Sequence, residues 1–231
     1  MDGMIQKYRL LLVNPNGNPA VTEQVQRSAE RVLGPDWSAR TVNPAQSPLS
    51  IQTLADRTMA EPFAIDLLSS HQGYDAYVMA CFDDIAVQAG RRLLKSPVVD
   101  PVAASVAIAR HCAPQFTIVT TVQTMVPGIC TLLDAMGATG QCNVRAAGIS
   151  VADAAAGLPE AMERLDRTVE AVRNVDGAGA IILGSAGLTG QAAKLQQRYG
   201  LPVIDCIEAA VLMAVSTARC VGLRPATADA H

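Results

Sequence analysis

Short apolar runs alternate with helical patterns along the whole chain. RLLLV at 9–13 reads as a strand, stopped by the turn-forming NPNGNP at 14–19. Residues 20–33 place Val21, Val25, Ala29 and Val32 on one helical face. Strands are predicted at 37–42, 76–80 and 97–100, with helices at 60–72, 84–95 and 102–111 and a long loop at 43–53. The rhythm then repeats. Strands fall at 116–120, 145–149, 180–183 and 201–204, and helices at 124–136, 158–174, 190–199 and 207–219. Continuous apolar strands alternating with helices predict an α/β fold with parallel sheets buried on both faces. The tail from 222 reads as frayed.

The second half echoes the first. DAYVMACFDD (75–84) aligns with GAIILGSAGL (179–188), so that Cys81 lies opposite Ser185. PVVDPVAASVAIA (97–109) aligns with PVIDCIEAAVLMA (202–214), pairing Asp100 with Asp205, Ala104 with Ala209, Val106 with Val211 and Ala109 with Ala214. Convergence of two βα units on similar compositions would give some of this. The recurrence of Pro-Val-x-Asp at nearly the same offset favours duplication. Two related halves would put Cys81 and Ser185 on either side of one cleft, an arrangement suited to approaching one carbon from both faces.

Composition narrows the function. Half of the 231 residues are apolar and 17% are charged, enough for a sizeable core. Aromatics are only 3%, so Ala, Val, Leu and Ile must build it. A net charge of −3 without a basic block argues against nucleic acid as a partner. No uncharged apolar run reaches the ~18 residues of a membrane span, and the N-terminus lacks a signal-peptide cleavage site, which predicts a cytoplasmic protein. The six cysteines show no metal-ligand spacing, and with three His no metal site is expected. Neither a P-loop nor GxGxxG is present, which disfavours nucleotide cofactors.

Cys81 ends a strand just before a predicted helix. The helix dipole would lower its pKa below ~8.5. The alternative for any cysteine is a small buried apolar residue, and the other five are read that way. Around Ser185, Gly184 and Gly187 allow close backbone approach, and the N–H groups of 186–188 could hold an anion or a developing enolate. The GxSxG spacing is missing and no His/Asp pair is visible, so a serine nucleophile is disfavoured. Asn14 to Asn16, and Thr120 with Thr121, end the first strands of the two halves. They serve either as turns and caps or as holders of polar substrate atoms. Asp100 and Asp205 read as helix caps. No Arg or Lys is placed to hold a free carboxylate.

Taken together, NPN, ACFDD at Cys81, VTT at 119–121, GSAGL at 184–188 and PVID at 202–205 resemble the aspartate/glutamate/hydantoin racemase family. NPN and the PVID segment are most similar to its hydantoin and allantoin racemases. The resemblance implies two pseudo-symmetric parallel-sheet α/β lobes, 1–100 plus 206–231 and 101–205, with the active site in the cleft between them. It implies no cofactor, a small hydantoin-type ring as substrate, no nucleic-acid or membrane partner, and an assembly of identical subunits. In such proteins two cysteines flank the substrate, one removing the α-proton and the other returning a proton from the far side. Cys81 matches the first, and Ser185 stands where the second would be. Asn16, Thr120 and Thr121, with backbone N–H groups of Phe82, Asp83, Ala186 and Gly187, would bind the ring. Three readings of Ser185 stay open: a change introduced to trap a substrate complex, a natural one-thiol racemase or decarboxylase relative, or a non-catalytic binding protein.

Overall fold

The computed structural model describes residues 8–222; the predicted frayed tail lies almost wholly outside them. Two four-stranded, all-parallel sheets share one topology. The first has order β2-β1-β3-β4, built from β1 (Tyr8–Val13), β2 (Trp37–Val42), β3 (Ala76–Met79) and β4 (Val98–Val99). The second has order β6-β5-β7-β8, built from β5 (Phe116–Thr120), β6 (Cys142–Ala146), β7 (Ala180–Leu183) and β8 (Val203–Asp205). Each strand of the first sheet thus has a counterpart four places later, which the internal sequence repeat anticipates.

Side-chain alternation along the strands divides the core. Leu10 and Leu12 of β1, Ile118 of β5 and Ile182 of β7 face a central layer common to both sheets. Leu11 and Val13 face outward against α2 (Leu54–Ser70) and α3 (Val87–Leu93). Val119, Ile181 and Leu183 face α7 (Pro159–Ala171) and α8 (Ala192–Tyr199). The central layer holds α1 (Pro19–Val32), α4 (Pro101–Cys112) and α9 (Cys206–Cys220). Helix α4 follows β4 in sequence yet packs on β7 and β8, whereas α9 follows β8 and packs on β3 and β4. The two helices also pack on each other, where Ala104, Ala109, Ala209, Ala210 and Ala214 are all buried.

Asp100 and Asp205 are the N-caps of these exchanged helices. Asp100 accepts from the Ala103 N–H at 2.7 Å and lies 3.4 Å from the Arg91 guanidinium. Asp205 is more deeply held. It accepts from the N–H groups of Gly190 (2.6 Å), Ile207 (3.0 Å) and Glu208 (3.3 Å), and from the Thr189 hydroxyl at 2.7 Å. Thr189 in turn sits 2.8 Å from Ser28 Oγ on α1.

Several boundaries differ from the sequence pattern. Helix α2 starts at Leu54 rather than 60, because Thr53 and Asp56 form a capping box, and Pro62 is carried inside the helix. Strand β6 runs three residues earlier than predicted, because Phe116–Thr120 pairs in register with Cys142–Ala146. Gly148, at φ +70°, lies in the stretch expected to be strand. The predicted 158–174 helix is preceded by a short α6 (Val151–Ala155). It is followed by a widened turn at Val172–Asp176, where Thr117 and Arg145 both bind Asp176. Among the described residues no helix is long and apolar enough to cross a membrane.

Replacing Asp205 leaves three buried or half-buried N–H groups and a hydroxyl without their acceptor, so Asp205→Ala should cost about 3 kcal/mol, against about 1 kcal/mol for Asp100→Ala. Urea unfolding of both variants checks the ranking, and equal losses would remove Asp205 as the stronger anchor.

Candidate active site

The β1, β3, β5 and β7 strand ends meet at one small enclosed chamber of about 30 Å³, room for roughly one water. Asn16, Cys81, Phe82, Thr120, Thr121, Ser185 and Ala186 line it together with Ile51, Met125, Val151 and Gly184. Seven of the nine residues singled out by sequence therefore share one wall-to-wall space. Asp83 and Gly187 do not. The Asp83 N–H donates to the Cys81 carbonyl at 2.8 Å, and its carboxylate turns outward to Arg57. The Gly187 N–H donates to Ser185 Oγ at 3.3 Å, and a Cβ there would stand 2.8 Å from the Val151 carbonyl oxygen. Both N–H groups are consumed within their own turns. Those of Phe82 and Ala186 donate to no protein acceptor among the described residues.

The Asn16 amide is oriented by the NPN loop. Its Oδ1 accepts from Asn14 Nδ2 (3.0 Å) and the Asn18 N–H (2.9 Å), and its own N–H donates to Asn14 Oδ1 (3.2 Å). With the oxygen used on both sides, the amide N–H₂ is the part left for the chamber. Gly17 lets this loop press against 43–53. A Cβ there would meet the Ser47 carbonyl oxygen at 2.5 Å, and Ser47 Oγ donates to the Pro15 carbonyl at 2.6 Å. On the opposite side, Thr120 Oγ1 donates to the Gly184 carbonyl at 3.0 Å, tying β5 to the loop after β7. At Gly184 the Phe82 ring of the first half packs close to the backbone of the second. A Cβ there would lie 2.6 Å from Ile118 Cγ2 and 3.0 Å from the Phe82 ring.

Cys81 departs from expectation in its electrostatics. Helix α3 begins only at Val87, so the positive end of its dipole is six residues away and the influence falls off within a turn. Cys81 packs against Ile51, Ala60 and Ile85. Burial pushes its thiol well above the ordinary value, the Asp83 carboxylate adds to this, and Arg57 opposes it. The resting side chain is a thiol, not a thiolate. Behind Ser185, fully buried Cys206 is also held protonated, by burial first and then by Asp205, while the Ser185 backbone N–H hydrogen-bonds its sulfur. Cys206 does not line the chamber.

The turn between Cys81 and α3 is clamped by two residues that the sequence pattern did not single out. Arg57 donates to Asp83 (2.9 Å) and Asp84 (2.7 Å), and Glu61, one helical turn along α2, accepts from the Ala86 N–H at 3.1 Å. Ala86 holds the only positive φ of a non-glycine among the described residues, +57°, a conformation an alanine adopts at a cost of ~1 kcal/mol. Burial raises Asp83, partly offset by the guanidinium. Burial alone would lower Arg57, but Asp83, Asp84 and Glu61 together hold it above its ordinary value. A cation does stand beside the site, contrary to the sequence reading, but carboxylates of this chain already engage it. Among the described residues no cluster of three His, Cys, Asp or Glu could hold a metal ion.

Two parallel half-folds facing each other across a chamber, with a thiol on one side and a hydroxyl at the matching place on the other, define a two-lobed isomerase of the racemase class. The chain belongs to the Asp/Glu/hydantoin racemase family, whose model, described as Asp/Glu/Hydantoin racemase, matches residues 10–214. It is 36% identical over 206 residues to a hydantoin racemase of Rhizobium meliloti, covering 88% of this chain and 86% of that one. Its fold is similar to that of allantoin racemase from Klebsiella pneumoniae, with a TM-score of 0.90 and 30% identity over 96% of this chain and 92% of the other. Glutamate racemase from Francisella tularensis shares the fold at 14% identity, with a TM-score of 0.70, covering 97% of this chain and 85% of that one.

A thiol held protonated should alkylate slowly at neutral pH. We expect iodoacetamide labelling of Cys81, followed residue by residue by mass spectrometry, to rise about tenfold per pH unit from 7 to 9 without levelling off. A plateau below pH 8 would instead mean that something lowers the thiol.

Proposed function

We propose that this chain works without a cofactor on 5-substituted hydantoins, allantoin-like rings included, and that Cys81 is its base. The single observation behind this reading is that Cys81 and Ser185, aligned in the internal repeat, end up on one buried chamber whose other walls carry free donors. The likeness to hydantoin and allantoin racemases supports the ring as substrate class.

The chemistry follows from the ring. Its C5 hydrogen is next to a carbonyl, so removing that proton sends the electron pair onto the carbonyl oxygen as an enolate. Fixed donors in a water-poor chamber stabilise such charge well, because they need no reorganisation. The Phe82 and Ala186 N–H groups and the Asn16 amide are the donors available. The minor thiolate form of Cys81, its own proton lost to solvent, takes the C5 proton and, as the thiol, returns it or a solvent-exchanged one to the same face. Inversion needs a proton from the opposite face. There Ser185 offers a hydroxyl, a far weaker acid than a thiol, whose oxygen already accepts from Gly187. The chain should therefore exchange the C5 proton of one enantiomer faster than it inverts the centre. An amino acid with a free α-carboxylate is the poorer substrate, since Arg57 is already committed.

Proton exchange in deuterated water, read by NMR, tests this. Cys81→Ala should lose exchange by at least a hundredfold, and Ser185→Cys should add racemisation to exchange. The proposal is falsified if neither the chain nor Ser185→Cys exchanges the C5 proton of any hydantoin. Tight binding of hydantoins without exchange would make it a binding protein.

A further inference from the structure

We infer that the cavity just outside the chamber receives the 5-substituent of the ring, and that the segment Met125–Gly128, where a helix begins, sets which substituents fit. This rests on the ring reading above.

The chamber alone holds about one water, and a five-membered ring needs several times that space. A second cavity of about 310 Å³ adjoins it, sharing Ile51 and Met125 as walls. It lies between the start of α2 in one lobe and the start of α5 (Val126–Ala135) in the other, so it straddles the same cleft. Geometry selects it as the exit. In a planar enolate the two faces of C5 point to Cys81 and Ser185. The substituent lies in the plane between them and must leave through a side wall. One side is polar and tied down, by Asn16 and Thr120. The other is the Ile51–Met125 wall, where the unbranched Met125 side chain can swing aside.

The chemistry of the outer cavity then decides among substituents. Leu54 and Pro127 make its rim apolar. Leu54 is 76% exposed, an apolar surface that a bound group would cover. Arg57 faces in too, but its guanidinium is engaged by Asp83, Asp84 and Glu61. A carboxylate on the substituent would meet Asp83 without a cation to pair with. A ureido group would find the exposed Thr53, Thr124 and Thr131 hydroxyls and an Asp83 carboxylate already paired with Arg57. Neutral aliphatic or benzyl groups fit best. Each methylene buried in an apolar pocket brings roughly tenfold or more in kcat/KM, so 5-isobutyl- and 5-benzylhydantoin should exceed 5-methylhydantoin by at least tenfold.

Gly128 supplies the test. A Cβ there meets no atom within 4 Å, so Gly128→Leu projects into open space without disturbing the backbone. We would measure C5 proton exchange in deuterated water, divided by the spontaneous rate, for 5-methyl-, 5-isobutyl- and 5-benzylhydantoin, allantoin and hydantoin-5-acetate. The expected order is benzyl and isobutyl, then methyl and allantoin, then acetate. Gly128→Leu should cut the benzyl substrate tenfold or more and leave 5-methylhydantoin within about twofold. If Gly128→Leu lowers all substrates alike or none, or if allantoin or the acetate leads the series, the subsite is overturned while the ring reading stands. Exchange of no hydantoin at all overturns both. Thermal melting of Gly128→Leu, expected unchanged, separates a filled cavity from a damaged fold.

Discussion

The exchange of α4 and α9 between the sheets fixes everything at the chamber. Each helix leaves the sheet whose last strand it follows and packs on the other sheet, so the sheets cannot separate without exposing the central layer both bury. That layer is one hydrophobic core, not two, which makes the lobes one folding unit despite their repeated topology. The carboxylates of Asp100 and Asp205 hold the helices where they start. Because β3 and β7 end beside those starts, the loops bearing Cys81 and Ser185 are held face to face by the same contacts that stabilise the fold.

The two loops are duplicates in sequence but not in how they are secured. The Cys81 turn is held from outside, by Arg57 and Glu61 on α2, and carries a strained Ala86. Strain of this kind persists only where surrounding contacts over-determine it. The Ser185 turn is held from within, by its own hydroxyl on Gly187, and from behind by Thr189, Asp205 and the buried Cys206. An ion-paired clamp can loosen while leaving a core intact, whereas the second loop is part of the core. The first turn is thus fixed by ion pairs from a neighbouring helix, and the second by the core itself.

Much of this was legible in the sequence. The internal repeat gave the paired topology, the matching strand ends and the two capping aspartates, because duplicated packing leaves duplicated apolar and capping positions. Periodicity failed where long-range pairing decides. The β6 register follows its partner β5, not its own apolar run, and α2 starts six residues ahead of its apolar pattern because of a Thr-x-x-Asp cap. Arg57 was missed for a different reason. Its partners lie 26 and 27 residues away, and no local pattern links a helix face to a turn that far along the chain. A strand end meeting a helix start directly would lower the thiol, but the turn between Cys81 and Val87 takes it out of reach of the dipole.

A desolvated, protonated thiol sets the terms of the proposed chemistry. A depressed thiol would be ready as a base but weak in its drive to take a proton. A buried thiol is the reverse: scarce as thiolate, yet strongly basic once formed. Under the proposed function the hydrogen to be removed, at C5 of a hydantoin, is a weak acid, and the second arrangement suits it better, with fixed donors meeting the enolate as it forms. The same burial sets the cost of the hydroxyl at Ser185. Desolvation that makes a thiolate more basic makes an alkoxide all but inaccessible, so the serine can donate little and accept less. The asymmetry between the two faces is thus steeper in this chamber than the difference between a thiol and a hydroxyl in water would suggest.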